Sequence, residues 1–223
     1  MSSLERLRYL VGEKSLERLN NSRVAVVGLG GVGGVAAITL ARSGVGTLII
    51  QDFDVVQVSN INRQIIANYQ TIGMRKADLV EEEIRRINPH CQIIKLNERF
   101  NQDSKLFSNK IDFLIDAIDA IDDKYFLITE CLKNKIPFIS AMGAAKKMNL
   151  EKLEITEITK TTYDPLAKIL RKKLRDNKIY DKIMVVSSTE EPLKIAALGS
   201  YMPVTAGAGL MLADYVIKQI IKE

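Results

Sequence analysis

The run RVAVVG at Arg23 to Gly28, followed at once by LGGVGG, restricts the fold of this 223-residue chain more than any other segment. Short β-branched runs bounded by glycine read as buried parallel strands. Val32 to Ser43 then reads as a helix, so the glycines occupy the turn between a strand and a helix. Gly28, Gly30 and Gly33 satisfy G-x-G-x-x-G, and Gly31 adds a fourth glycine. In that setting backbone N–H groups and the helix N-terminus can approach an anionic phosphate without side-chain obstruction. Asp52 follows about 20 residues later, at the end of a second strand, where a carboxylate meets ribose hydroxyls. Four glycines exceed what a packing turn requires, which favours a nucleotide site. Nicotinamide and flavin enzymes share everything read to this point.

The remainder of the chain supplies the sheet around that turn. Leu4 to Leu19 is expected to be one N-terminal helical segment, and Arg75 to Ile87 a charged amphipathic helix ended by Asn88-Pro89. Gln92 to Leu96, Phe113 to Asp116 and Pro137 to Ser140 read as strands, with a helix from Lys124 to Asn134. Strands separated by helices imply an α/β, Rossmann-like, mostly parallel sheet flanked by helices. Residues 20–145 form the expected nucleotide-binding core and 146–223 a C-terminal extension of the same single domain. In the extension, Leu153 to Thr159 alternates like an exposed strand, and Asp164-Pro165 is a helix start, aspartate capping and proline first. Leu166, Ile169, Leu170 and Leu174 should share that helix's core face. Gly207 to Ile221 reads as a further apolar helix packing on the sheet.

Composition excludes several classes. No stretch approaches the ~20 uninterrupted apolar residues of a membrane span, and the charged N-terminus lacks a signal peptide's apolar centre, so a cytoplasmic protein is expected. Cys91 and Cys131 form no CxxC pair, which removes a disulfide framework and a cysteine-built zinc site. From Lys146 to Lys182 there are eleven Lys or Arg against six Asp or Glu, matching the whole chain's net charge of +5. A basic partner surface is expected there.

The residues after the second strand separate redox chemistry from phosphate chemistry. DFDVVQVSNINRQ, followed by GMRKA, places Arg63 and Lys76 on either side of a turn. Two fixed cations beside the β- and γ-phosphates would neutralise charge that moves onto pyrophosphate during attack at the α-phosphorus. A dehydrogenase has no such leaving group. The competing reading pairs Arg63 with a carboxylate and leaves Lys76 as a solvated helix charge. Asp119, in DAIDA just past a strand end, sits where such folds bind ligands and could hold Mg²⁺. Asp116, within the strand, reads as structural.

GxGGxG, DFDxVxxSNxNRQ, GxxKA at Gly73 to Ala77 and the INP turn at Ile87 resemble the adenylating superfamily that includes ubiquitin-activating enzymes and activators of sulfur-carrier proteins. Within it, the NxNRQ variant, DAIDA, TKTTYDPLAKILRKKLR and GSYMPVTAGAGLMLADYVIK are similar to the tRNA threonylcarbamoyladenosine dehydratase family. That resemblance implies a homodimeric enzyme that adenylates the threonyl carboxylate of a modified tRNA adenosine with ATP, after which the nucleoside cyclises and AMP leaves. It puts nucleotide contacts on Gly30, Gly31, Asp52, Asn60, Arg63, Lys76 and Asp119, and an N-terminal arginine reaching the other subunit's ATP on Arg6. It matches Ser187 to Pro192 to a segment near the substrate, and admits a monovalent cation and a sulfur-relay or redox partner.

Two other functions stay open on sequence. An activator of a ubiquitin-like sulfur carrier would share the core, and a NAD-binding redox regulator would share the glycine turn. Acyl transfer to an enzyme thiol needs an accessible cysteine, whereas intramolecular cyclisation needs none. Cys91 and Cys131 read as structural, and His90, the single histidine, as a surface turn residue. Lys168, Arg171, Lys172, Lys173 and Arg175 form a basic helix stretch that reads as either a solvated face or, on the resemblance, a track for tRNA phosphates.

Overall fold

The computed structural model describes residues 3–222. Five strands carry the parallel sheet expected from the sequence: β1 (Arg23–Val27), β2 (Thr47–Gln51), β3 (Gln92–Leu96), β4 (Phe113–Asp116) and β5 (Phe138–Ala141). Two more, β6 (Leu153–Glu157) and β7 (Met184–Ser188), extend it to seven strands in the order β3-β2-β1-β4-β5-β7-β6. Every pairing is parallel except β6 with β7, where Leu153 faces Ser188 and Glu157 faces Met184. β1 is the reversal point, with β2 on one side and β4 on the other. Ligands in such sheets bind at this switch point, outside the carboxyl ends of β1 and β4.

The helices are α1 (Glu5–Val11), α2 (Glu13–Asn21), α3 (Gly33–Arg42), α4 (Lys76–Ile87), α5 (Ile121–Lys133), α6 (Pro165–Asp176) and α7 (Met202–Ile221). Period-two alternation sorts the strand residues between two cores. Val24, Val26, Leu48 and Ile50 pack under α3, α4 and α7, while Ala25, Val27, Ile49 and Leu114 meet Leu127 and Cys131 of α5 with Phe100 and Leu106. A third cluster joins Ala167, Leu170 and Leu174 of α6 to Ile128, Met142 and Val185. Full burial of each Val, Leu or Ile is worth roughly 1.5–3 kcal/mol, so this two-sided packing holds β1 rigidly behind the glycine turn.

Three expectations are corrected, and one strand is added. The N-terminal helical segment is two helices, broken at Gly12, whose φ of 79° no helix interior adopts. The core face of α6 includes Ala167, and Ile169 is 49% exposed, because the helix turns its Ala167-Leu170-Leu174 stripe inward. β7 is a further strand with no expectation behind it, although the apolar run Ile183 to Val186 matches in length those that became β4 and β5, and it inserts between β5 and β6. α7 begins at Met202, ahead of the expected Gly207, with Pro203 in its first turn. By length and composition α7 could cross a membrane. In this fold it lies on α3, α2 and the sheet, burying Val204, Ala208, Leu212, Ala213 and Val216.

Candidate active site

The turn after β1 is built on contacts that only glycine allows. Gly28 has a φ of 88°, and a Cβ there would stand 2.7 Å from the Ala117 carbonyl oxygen. A Cβ on Gly33 would fall 1.8 Å from the Gly28 carbonyl oxygen, so Gly33 lets α3 close onto the turn and does not face the ligand. Gly30 is different, since its added Cβ would find no atom nearer than Gln64 Nε2 at 3.7 Å. Its missing side chain leaves open space in a cavity of about 760 Å³, a size ordinary for nucleotide-scale ligands.

Gly28, Gly30, Gly31, Asp52, Asn60, Arg63, Lys76 and Asp119 all line that cavity. The fold therefore gathers eight sequence-selected residues, drawn from four separate segments, at the carboxyl ends of β1, β2 and β4. Asp52 ties two of those segments together, accepting from Leu29 N–H at 2.6 Å and Asp54 N–H at 2.7 Å. Burial raises its pKa above the ordinary carboxylate value, against the lowering pull of those two N–H donors. Asn60 is buried and accepts from Gln57 N–H at 3.0 Å, pinning the short turn that carries Arg63. Arg63 donates to the Ser59 carbonyl at 2.6 Å and to Asn62 Oδ1 at 3.0 Å, and to no carboxylate among the described residues. Lys76 is buried at the start of α4 and donates to Asp54 Oδ2 at 2.8 Å, so it is not a solvated helix charge.

Asp119 is exposed on the cavity rim, placed there by Asp116. The Asp116 carboxylate is completely buried and accepts from Lys124 Nζ at 2.7 Å, Ser140 Oγ at 2.5 Å and Ile118 N–H at 3.0 Å. This network locks β4, β5 and α5 together and sets the turn between Asp116 and Asp119.

Arg6 stands exposed on α1 and outside the lining of its own chain's cavity. His90 is exposed in the turn after α4, also outside the lining. Both cysteines are buried, and burial pushes the Cys91 thiol up to about 11 and the Cys131 thiol higher still. Neither is an effective nucleophile in that state.

The basic stretch of α6 divides in two. Arg171 is spent internally, its guanidinium donating to the Ile158 and Thr161 carbonyls and the Thr161 hydroxyl. Lys173 pairs with Asp122 and lies 4.6 Å over the Tyr125 ring, tying α6 to α5. Lys168, Lys172 and Arg175 are exposed. The helix starts at the cavity, where Pro165 and Leu166 form part of the wall.

Several lining residues were not selected on sequence. Gln64 and Gln51 are buried there, and among the described residues the Oε1 of each has no hydrogen-bond partner. Unpaired buried oxygens cost free energy, and a ligand donor would relieve it. Gln64 stood inside the quoted NRQ motif, whereas Gln51 had no signal beyond being polar in an apolar strand. Lys147, buried in the wall, was counted among the basic surface charges. Ser187, in the matched segment, donates to Asp164 Oδ2 at 3.4 Å, and Pro192 lines the cavity.

Comparison with known proteins agrees with this geometry. A model of the ThiF family matches residues 4–223. A tRNA threonylcarbamoyladenosine dehydratase of Bacillus subtilis is 44% identical over 187 residues, 83% of this chain and 74% of the relative. The Escherichia coli protein of that name is 39% identical over 170 residues, 75% of this chain and 63% of the relative. A crystal structure of the E. coli dehydratase in complex with ATP superposes with a TM-score of 0.94 at 34% identity, covering 98% of this chain and 93% of that one. With its glycine turn, its cavity-lining cations and this match along nearly its whole length, the chain belongs to the ThiF family.

Proposed function

We propose that this chain is a tRNA threonylcarbamoyladenosine dehydratase, which activates the threonyl carboxylate with ATP and closes it into a ring. One observation carries the reading: Arg63 and Lys76 line the same cavity as the glycine turn, and the basic face of α6 begins at its wall. The similarity to dehydratases of that name supports the substrate.

The steps follow from charge. A carboxylate oxygen attacks the α-phosphorus as the bond to pyrophosphate breaks, and Arg63 and Lys76 neutralise the departing group. A nucleophile within the threonylcarbamoyl group then attacks the activated carbonyl, and AMP leaves with the electron pair of the broken C–O bond. The glycine turn and Asp52 hold the nucleotide, with Asn60 supporting the Arg63 turn. Asp119, a rim carboxylate with no bonded partner among the described residues, fits Mg²⁺, which takes one or two carboxylates together with phosphate oxygens and water. Bound there, the ion would supply further neutralisation of the phosphates.

A homodimer and Arg6 acting on the partner's nucleotide belong to the same proposal. Phe53, Val58, Tyr69 and Met74, in the segment that carries Asn60 and Arg63, are exposed apolar side chains suited to a second copy. A cytoplasmic location belongs to the same proposal, in keeping with a tRNA substrate. Lys168, Lys172 and Arg175 contact the tRNA backbone, with Arg171 and Lys173 holding the helix in place.

AMP release tests the reading. Wild-type protein with ATP should release AMP with tRNA carrying threonylcarbamoyladenosine and only background with unmodified tRNA. Equal release from both defeats the substrate assignment. Pyrophosphate exchange driven instead by a carrier protein ending in Gly-Gly points to the sulfur-carrier activator, and retention of NAD on purification to a redox regulator. Replacing Lys168, Lys172 and Arg175 by Ala should flatten the salt dependence of tRNA binding, whose slope follows the number of phosphates neutralised.

A further inference from the structure

Besides Lys76, two lysines are buried near the nucleotide site, and they differ in how their charge is used. Lys124 is saturated by Asp116 and Ser140, at 2.7 and 3.0 Å, and does not line the cavity. Lys147 is 2% exposed and does line it. Its ammonium donates to the Ser188 carbonyl at 3.2 Å and forms a buried ion pair with Asp164 Oδ2 at 3.6 Å, longer than a hydrogen bond.

Asp164 does not require this lysine. Its carboxylate already accepts from Ala167 N–H at 2.9 Å, Gly143 N–H at 2.9 Å and Ser187 Oγ at 3.4 Å, capping α6 and fixing the turn after β5. A buried cation so loosely paired is costly to a fold. Lys147 therefore keeps donor capacity beside a cavity, where a ligand oxygen could take it up.

The location narrows the ligand. Beyond the glycine turn the cavity continues between Ala141–Lys147 and the residues Pro165, Leu166, Pro192 and Leu193. That wall is mainly apolar. Lys146, the other cation in it, is only partly buried and donates to the Ile195 carbonyl at 2.7 Å. An acyl substrate must bring a carboxylate against a polyphosphate, and the resulting repulsion needs a cation on the acyl side.

We propose that Lys147 receives the substrate's carboxylate in this second half of the cavity, holding it for attack on the nucleotide. This rests on the adenylating activity proposed above. The charged groups facing Lys147 are Asp164 at the start of α6 and Glu190 after β7, with neutral Ser187 and Ser188 on β7. Burial depresses its pKa below the ordinary lysine value more than those two acids raise it. An incoming carboxylate pushes it back up, so a bound substrate favours the charged ammonium.

Steady-state kinetics with tRNA carrying threonylcarbamoyladenosine tests this, with ATP-induced thermal stabilisation as the check on folding. Lys147→Met should raise KM for the tRNA about 30-fold or more with kcat changed far less, the pattern of a lost binding contact. ATP should stabilise the variant as it does the wild type. Wild-type KM should climb as pH rises toward the ordinary lysine value of about 10.4, and Lys147→Arg, which keeps a charge that does not titrate, should flatten that climb. A Lys147→Met variant with wild-type KM, one whose kcat alone falls, or one that no longer gains stability from ATP overturns the assignment. If the wild type itself shows no AMP release dependent on the modified base, the proposed function has failed instead.

Discussion

Lys76 is tied twice to Asp54, its backbone N–H donating to the Asp54 carbonyl at 3.0 Å and its ammonium to Asp54 Oδ2 at 2.8 Å. With the bridge between Val55 and Arg75, this closes the intervening loop and presents Arg63 and Lys76 to one cavity. The ammonium is buried, so its field on a phosphate is little screened. Lys76→Ala and Arg63→Ala should each lower turnover by about 10²-fold or more, with unchanged circular dichroism. Wild-type rates in both remove the two cations from the reaction. Asp119→Asn should weaken the dependence of turnover on Mg²⁺, which a magnesium titration reads.

The Asp116–Lys124 pair is scaffold, and its removal should appear as stability. Lys124→Met strands a buried carboxylate and should cost about 3–5 kcal/mol in urea unfolding, whereas pairing it with Asp116→Leu should recover much of that loss. Equal destabilisation by the single and double variants would show that the ion pair does not couple these positions.

Acid should weaken the chain partly through Lys95. Its ammonium bridges Asp78 at 2.8 Å and Glu81 at 2.5 Å, and hydrogen bonding to it holds both carboxyls below their ordinary values. Groups with depressed folded-state pKa stabilise above their unfolded pKa, and that stabilisation is lost as pH falls through the folded values. Lys95→Met should therefore shrink the drop in melting temperature between about pH 6 and about pH 3. The effect is small, since these groups are partly exposed, and an unchanged drop in a pH series would refute it.

Thiol chemistry is expected to be dispensable. Cys91 and Cys131 are buried with raised pKa, and internal cyclisation uses no enzyme nucleophile. The double variant Cys91→Ala, Cys131→Ala should keep most AMP-releasing activity at a modest stability cost. A folded, inactive double variant, or a thioester trapped on either cysteine, would favour acyl transfer to a carrier.

Local patterns were enough to locate β1 to β4 within about a residue, the glycine turn, and the Asp164 cap with Pro165, because strand alternation, turn chemistry and capping act over a few neighbours. They also brought Asp52, Lys76 and Asp119 into view, since each lies at or near a strand end or a helix start, while Arg63 stood out through the SNINRQ motif. Tertiary structure decided the rest. β7 became a strand only by pairing with β5 and β6, across tens of residues that no local period spans. Among the basic residues from Lys146 to Lys182, packing buried Lys147 and bound Arg171 and Lys173 internally, while on α6 Lys168, Lys172 and Arg175 stay exposed. Residue type specifies a charge, but its surroundings determine whether water, a carboxylate or a ligand answers it, and those surroundings come from contacts distant in the chain.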